Sequence, residues 1–235
     1  MRLLAIETSS PRGSLCLCEF ENGKIKDLTQ TEWEKQSSHS EVISEIFLDL
    51  LRQKSWTPKD LTHIATGIGP GSFTGIRVGL NFAKSLAYGL GLPVLQMNSL
   101  EVLSVFQKPS TLPVLCIVNA FRNQIFAATY ASSEIRTPEL ISPTELDSWI
   151  TKPHLCVGDA YDIYHDDFSP ELLKNLVRDS SKSDFPQAKA LVLKVEQDFG
   201  QINFCDWKSV NPLYIRAASA EEKLKGGSLK PSTRF

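Results

Sequence analysis

The chain has 235 residues, 42% of them hydrophobic, with 27 acidic against 25 basic side chains and a formal charge of −2. That balance excludes long disorder, a collagen-like repeat and a free-standing polycationic nucleic-acid binder, and roughly 70–75% of the unfolded surface can be buried at this length. Met1-Arg2-Leu3-Leu4-Ala5-Ile6-Glu7 is too short in apolar residues for a signal-peptide core, and no apolar run nears the roughly 18 residues of a membrane span, so a cytoplasmic protein without membrane contact is expected.

In chain order, Arg2 to Ser9 reads as an apolar strand, turned back by Pro11-Arg12-Gly13 into a second strand, Ser14 to Glu19. Asn22-Gly23 supplies the next turn, and Lys24 to Glu34 forms a more polar edge strand. Ser38-His39-Ser40-Glu41 has the spacing of a capping box, and Val42, Ile43, Ile46, Phe47, Leu50 and Leu51 share one side of the helix it starts. Leu48 stands alone on the polar side. A strand to Gly67, a glycine-rich turn, a helix to about Leu90 and a strand Pro93 to Met97 complete the set. This order predicts an α/β domain of ribonuclease-H-like type, with helices on both faces of a mixed sheet.

A short helix, Leu100 to Gln107, and a polar linker place the domain boundary at 108, giving domains 1–108 and 109–235. In the second, Val114 to Asn119 and Gln124 to Tyr130 pair around Phe121-Arg122-Asn123, and Ile135 to Ile141 is a third strand. Then come a capped helix from Thr144 to Ile150, a strand from His154 to Gly158 and a helix from Phe185 to Phe199. The order of elements makes this half a reduced copy of the first. Lys223, Lys225, Lys230 and Arg234 leave a basic tail with no expected regular structure.

The turn Gly69-Pro70-Gly71-Ser72-Phe73-Thr74-Gly75 combines glycines and hydroxyls at a helix start, where exposed N–H groups favour anions. Gly69, Gly71, Ser72, Thr74 and Gly75 are therefore candidates for an anion site, with a purely structural turn as the other reading. The lysine of a P-loop and the Rossmann spacing are both absent. In the helix that follows, Ile76, Gly79, Leu80, Ala83, Leu86, Ala87 and Leu90 face the sheet, and Val78, Phe82, Ser85, Tyr88 and Gly89 lie opposite. Only Arg77, Asn81 and Lys84 form a polar stripe, so a second surface is expected to cover the helix. Gly75, Gly79, Ala83 and Ala87, four apart, would allow another helix close. The candidate partner face is thus Leu48, Arg77, Val78, Asn81, Phe82, Ser85 and Tyr88.

The five cysteines, Cys16, Cys18, Cys116, Cys156 and Cys205, are scattered in apolar stretches and read as buried reduced thiols. His39 has no second ligand one turn later, where Ile43 stands, so no metal site and no catalytic residue is assigned.

Ala5-Ile6-Glu7-Thr8-Ser9, His39-Ser40-Glu41, Gly69-Pro70-Gly71-Ser72-Phe73-Thr74-Gly75-Ile76-Arg77-Val78-Gly79 and Pro212-Leu213-Tyr214-Ile215-Arg216 together resemble the TsaB family, the bacterial accessory subunit of the tRNA adenosine threonylcarbamoyltransferase complex. The resemblance implies two domains of the actin, sugar kinase and Hsp70 superfamily, the second reduced. It also implies a non-catalytic scaffold that binds a TsaD-type catalytic subunit through the first domain's two helices, joined by a TsaE-type ATPase and pairing with itself when alone. Contact with tRNA would come only through the complex, and ATP or ADP and metal would belong to the partner subunits. Where many relatives carry Asp-Ala-Arg, this chain has Asn119-Ala120-Phe121-Arg122. The alternative from another class is a small-metabolite kinase or hydrolase of the same superfamily.

Overall fold

The computed structural model describes residues 1–34, 39–107, 110–131, 135–179 and 183–216. The capping box at Ser38 and the basic tail from Lys223 to Arg234 lie outside the described residues. In chain order the elements are β1 (Arg2–Glu7), β2 (Arg12–Glu21), β3 (Lys24–Glu34), α1 (His39–Lys54), β4 (His63–Gly67), α2 (Phe73–Leu90), β5 (Val94–Met97) and α3 (Ser99–Val105). The second half adds β6 (Val114–Asn119), β7 (Ile125–Tyr130), β8 (Ile135–Ile141), α4 (Leu146–Trp149), β9 (His154–Val157), α5 (Ala160–Tyr164), α6 (Pro170–Asn175), β10 (Leu176–Arg178) and α7 (Ala188–Gln197).

The first sheet runs β3-β2-β1-β4-β5 and the second β10-β9-β6-β7-β8. In each, three antiparallel strands are continued by two parallel ones, so the second sheet repeats the topology of the first. The reduction expected from sequence lies in the helices: α4, α5 and α6 span four to six residues each, against sixteen and eighteen for α1 and α2. Elements α5, α6 and β10 are not legible in the sequence, because pieces of three to six residues are too short to show a period.

Both faces of the first sheet are buried, as parallel strands at a sheet centre require. Leu4, Ile6, Leu15 and Leu17 face α1 and α2. Leu3, Ala5, Cys16 and Cys18 face the other way, so the two thiols share a side, buried, and desolvation pushes the Cys18 thiol up to about 12.

What covers that second face corrects the domain boundary at 108. The apolar side of α7, with Ala188, Leu191, Val192 and Val195, packs there, so a helix from the last quarter of the chain completes the first core. Helix α3 works on both sides: Val102 and Val105 join this cluster, while Leu100 and Leu103 pack on the second sheet against Val114, Cys116, Phe126 and Ala128. Two further ties bring late residues back. Cys205 and Val94 exchange backbone hydrogen bonds at 2.8 and 2.9 Å, and Leu213 N–H donates to Ile68 O at 2.8 Å. Residues 109–235 are therefore not one packing unit. The rule that neighbours in sequence pack together misplaces α7, since its own apolar stripe carries no label of the sheet it will meet.

Leu191 is fully buried in this late-arriving helix. Leu191→Ala should lower the unfolding free energy by about 2–5 kcal/mol in denaturant titration, the cost of an unrelieved core cavity, although the residue lies beyond the first domain in sequence.

Candidate functional site

The glycine turn and the first half of α2 sit directly on the C-terminal end of β1. A Cβ on Gly71 would meet Ser9 O at 2.2 Å, one on Gly75 would meet Thr8 O at 2.0 Å, and one on Gly79 would meet Thr8 Oγ1 at 2.3 Å. The four-residue spacing of Gly75, Gly79, Ala83 and Ala87 suggests an incoming helix. In the structure all four are buried, and the close approach is to the chain's own first strand and the residues after it. Hydrogen bonds lock the contact: Ser72 N–H donates to Ser9 O at 2.7 Å, and Thr8 Oγ1 donates to Gly75 O at 2.8 Å. The turn itself holds a cis Gly69-Pro70 bond, with Gly69 at φ 93°.

Beneath the turn lies Glu7, fully buried. Its Oε1 accepts the Ser9 N–H at 2.7 Å and its Oε2 accepts the Ser99 hydroxyl at 3.0 Å; the same hydroxyl accepts the Gly69 N–H at 3.1 Å. Loss of water pushes the Glu7 carboxyl above its ordinary range, a tendency that the bonds from Ser9 and Ser99 oppose without reversing.

The candidate anion groups are thus partly committed. Ser72 N–H is taken by Ser9, and Gly75 N–H is taken by the Ser72 side chain at 3.2 Å, which caps α2. An actin-like fold implies a nucleotide between its domains, and the residues here do not fit its phosphates: two of the amides are spent inside the chain and no lysine stands in the turn.

Between the two sheets this region opens into a cleft of about 520 Å³. One wall is the turn with Phe73 and Tyr214, whose rings stack at 4.9 Å; the other is the β6–β7 hairpin with Asn119 and Phe121. Asp159 lies at this second wall, its carboxylate accepting the Asn119 N–H at 2.9 Å, and burial pushes its carboxyl up. Phe121, Arg122 and Asn123 all have left-handed backbone, with φ of 60°, 55° and 55°. The sequence signals a turn there but not its strain, because Phe and Arg do not announce positive φ. Arg216 binds the hairpin through the carbonyls of Ala120 and Phe121 and the side chain of Gln124. Sequence reasoning missed Asp159 and the Phe73–Tyr214 pair; the ring stack joins residues far apart in the chain, and no local spacing signals it.

His39 is buried at the start of α1. Trp33 Nε1–H donates to its Nδ1 at 2.9 Å, which leaves Nε2–H to donate to Ser10 O at 3.1 Å. The imidazole therefore ties β3 and the β1–β2 turn to the helix. Among the described residues no cluster of three or more His, Cys, Asp or Glu side chains could hold a metal ion.

The candidate partner face divides in two. Val78 and Phe82 are half-buried, Phe82 edge-on to Phe47 of α1 at 5.5 Å, so the chain itself partly covers the apolar flank that helical periodicity assigns to a second surface. Residues near Trp207 cover more: Tyr88 meets that indole edge-on at 5.3 Å, and Lys84 donates to Val210 O at 2.9 Å. The row Arg77, Asn81, Ser85 and Tyr88 stays exposed along α2, with Leu48 exposed on α1.

Two repeated mixed sheets flanked by helices, with a cleft between them, define a two-domain protein of the ribonuclease-H-like, actin-related class. Solved structures agree on the fold: YeaZ from Pseudomonas aeruginosa has a TM-score of 0.75 at 21% identity, covering 91% of this chain and 99% of that one. A second P. aeruginosa structure, described as similar to peptidase YeaZ, has a TM-score of 0.76 at 22% identity, covering 92% and 99%. In sequence the chain is similar to the tRNA threonylcarbamoyladenosine biosynthesis protein TsaB of Escherichia coli, 26% identical with 96% of this chain and 99% of that protein covered. The protein of the same name from Bacillus subtilis is 30% identical over 55% of each chain. A family model described as TsaD, tRNA N6-adenosine threonylcarbamoyltransferase, matches residues 33–147. Over almost its whole length the chain is similar to proteins named TsaB.

Two outcomes test the turn. Gly75→Ala places a methyl group against a backbone oxygen, and should cost about 1–3 kcal/mol or more in chemical denaturation, because neither helix nor strand can yield alone. For Glu7, a folded-state pKa above the unfolded one means that the native state binds the extra proton, so stability falls as pH rises from the ordinary glutamate range through the raised value. Glu7→Gln should flatten that slope in unfolding curves collected across the acidic range.

Proposed function

We propose that this chain works in tRNA threonylcarbamoyladenosine biosynthesis as a non-catalytic scaffold that binds and supports a TsaD-type catalytic subunit. Similarity to TsaB proteins supports the pathway, since those relatives carry that role in their names. The observation that carries the scaffold reading is the exposed row Arg77, Asn81, Ser85 and Tyr88 on α2 beside exposed Leu48 on α1. Tyr88 is 72% and Leu48 47% exposed, on two rigid helices whose other sides are anchored in the core. Tyrosine and arginine, both present in this row, are among the residue types enriched at the centre of protein interfaces.

In this reading the partner's chemistry is complementary: a second chain of the same fold lays its equivalent helices against α1 and α2. Self-pairing through that face follows when the catalytic subunit is absent. A TsaE-type ATPase joins the assembled pair, and tRNA, nucleotide and metal are held by the partners. The commitment of the Ser72 and Gly75 amides supports this over a small-metabolite kinase or hydrolase, which would need them for phosphate.

Ser85→Glu and Tyr88→Ala change exposed positions and should leave the melting temperature within a few degrees. Mixed with a TsaD-type subunit, either variant should fail to co-elute in size exclusion or weaken binding by at least about tenfold, as loss of a central contact does. Co-elution equal to the unaltered chain would remove the α2 face from the interface.

A further inference from the structure

The imidazole of His39 joins three separate pieces of the chain. It is buried at the first residue of α1, edge-on to the Trp33 indole of β3 with 5.8 Å between ring centroids. Trp33 Nε1–H donates to Nδ1 at 2.9 Å, and an indole nitrogen can only donate, so Nδ1 carries a lone pair and no proton. The ring proton therefore sits on Nε2 and points at Ser10 O, 3.1 Å away, in the turn between β1 and β2. Both contacts require the neutral ring, in this one tautomer.

The indole is held in place from its other side. It lies against Gly13, its cross-strand neighbour, where a Cβ would meet Trp33 Cε2 at 2.3 Å and Nε1 at 2.7 Å. A proton arriving on Nδ1 would set two N–H groups against each other, and the indole would lose its acceptor. The cation would also stand in the first turn of α1, where the helix dipole opposes positive charge. The charged groups on the elements packed here are Glu32 and Glu34 on β3, Arg12 on β2, Glu41 on α1 and Glu7 at the end of β1, and Lys35, outside the described residues, follows Glu34 in the chain. Glu34 pairs with Arg12 at 3.1 Å, Glu32 accepts from Gln30 and Gln187, and Glu7 is spent on Ser9 and Ser99. Glu41 is exposed. With both ring nitrogens occupied, these carboxylates act on a cation only through space.

We propose that His39 is an acid-sensitive latch: the neutral ring fastens the start of α1 to β3 and to the β1–β2 turn, and protonation of Nδ1 releases the Trp33 indole and loosens that junction. The folded chain has no place for a second ring proton. The unfolded chain therefore takes up more protons as pH falls through the ordinary histidine range, near about 6.5, and stability falls with it. The sign is opposite to that of Glu7, whose contribution weakens as pH rises. The latch needs no partner subunit, so it and the scaffold reading can fail separately.

The test is the indole N–H signal of Trp33 in NMR spectra of the isotope-labelled full chain, identified by its loss in Trp33→Phe and followed from about pH 8 to about pH 5, either side of the ordinary histidine value. The signal is expected to leave its hydrogen-bonded position in a single one-proton step. His39→Asn puts an amide oxygen, which does not titrate, in the place of Nδ1, so the signal should stay bonded at both ends of the range. His39→Gln keeps a donor for Ser10 and takes away the acceptor for Trp33, so the signal should stay unbonded at both ends. In thermal melts the unaltered chain should lose more of its melting temperature between the two pH values than His39→Asn does. The inference is overturned if the Trp33 signal of the unaltered chain does not move, if the same step persists in the two His39 variants, or if His39→Asn melts with the pH dependence of the unaltered chain. Should a variant fail to fold, the titration of the unaltered chain decides alone.

Discussion

The contact on which most of the molecule depends is the seating of the glycine turn and α2 on the end of β1. Helices usually stand off a sheet by the length of their side chains. Here Gly71, Gly75 and Gly79 remove that spacer, and the backbone and side chain of Thr8 and Ser9 fill the gap. Van der Waals contact and the Ser72–Ser9 and Thr8–Gly75 hydrogen bonds then fix the axis of α2 at one height and one rotation. Both surfaces of functional interest follow from that rotation. The side of α2 facing outward becomes the row from Arg77 to Tyr88, and the end of the helix facing the second sheet becomes a cleft wall.

The same contact takes up two of the helix-start amides that could otherwise meet an anion. Donors at a helix start are valuable to an anion only while unspent, and here Ser72 and Gly75 use theirs to close the turn. Buried Glu7, joined through Ser99 to Gly69, adds an acidic group under the turn. These bonds make the turn rigid. A rigid surface of this kind would lose little ordering entropy on docking, as the proposed scaffold role requires.

A second constraint is that the first sheet needs cover on both faces, and only one face is supplied by helices near in sequence. Helix α7 supplies the other, and α3 fills the space between the sheets with apolar side chains on two sides. The two halves are therefore joined by a continuous core as well as by the connecting chain. The cleft lies between elements that each belong to this joined body, which is why its walls can hold a strained hairpin in place.

Much of this is legible in the amino-acid sequence itself. The alternation of Leu15 and Leu17 with Cys16 and Cys18, the 3.6-residue stripe of α2, and the turn signals at Asn22-Gly23 and Phe121-Arg122-Asn123 are local patterns, and local sterics and solvent contrast suffice to read them. The residues of the exposed row on α2 are also legible, since a helix places every fourth side chain together whatever surrounds it. Three things belong to the tertiary structure alone: that Val78 and Phe82 find partial cover from Phe47 and its neighbours, that the small residues of α2 answer to Thr8 and Ser9 and not to another helix, and that α7 returns to the first sheet. Each depends on which apolar surface meets which, and hydrophobic attraction has no direction and no address. Periodicity tells a segment what shape to take and which side to hide; only the assembled core decides what it hides against.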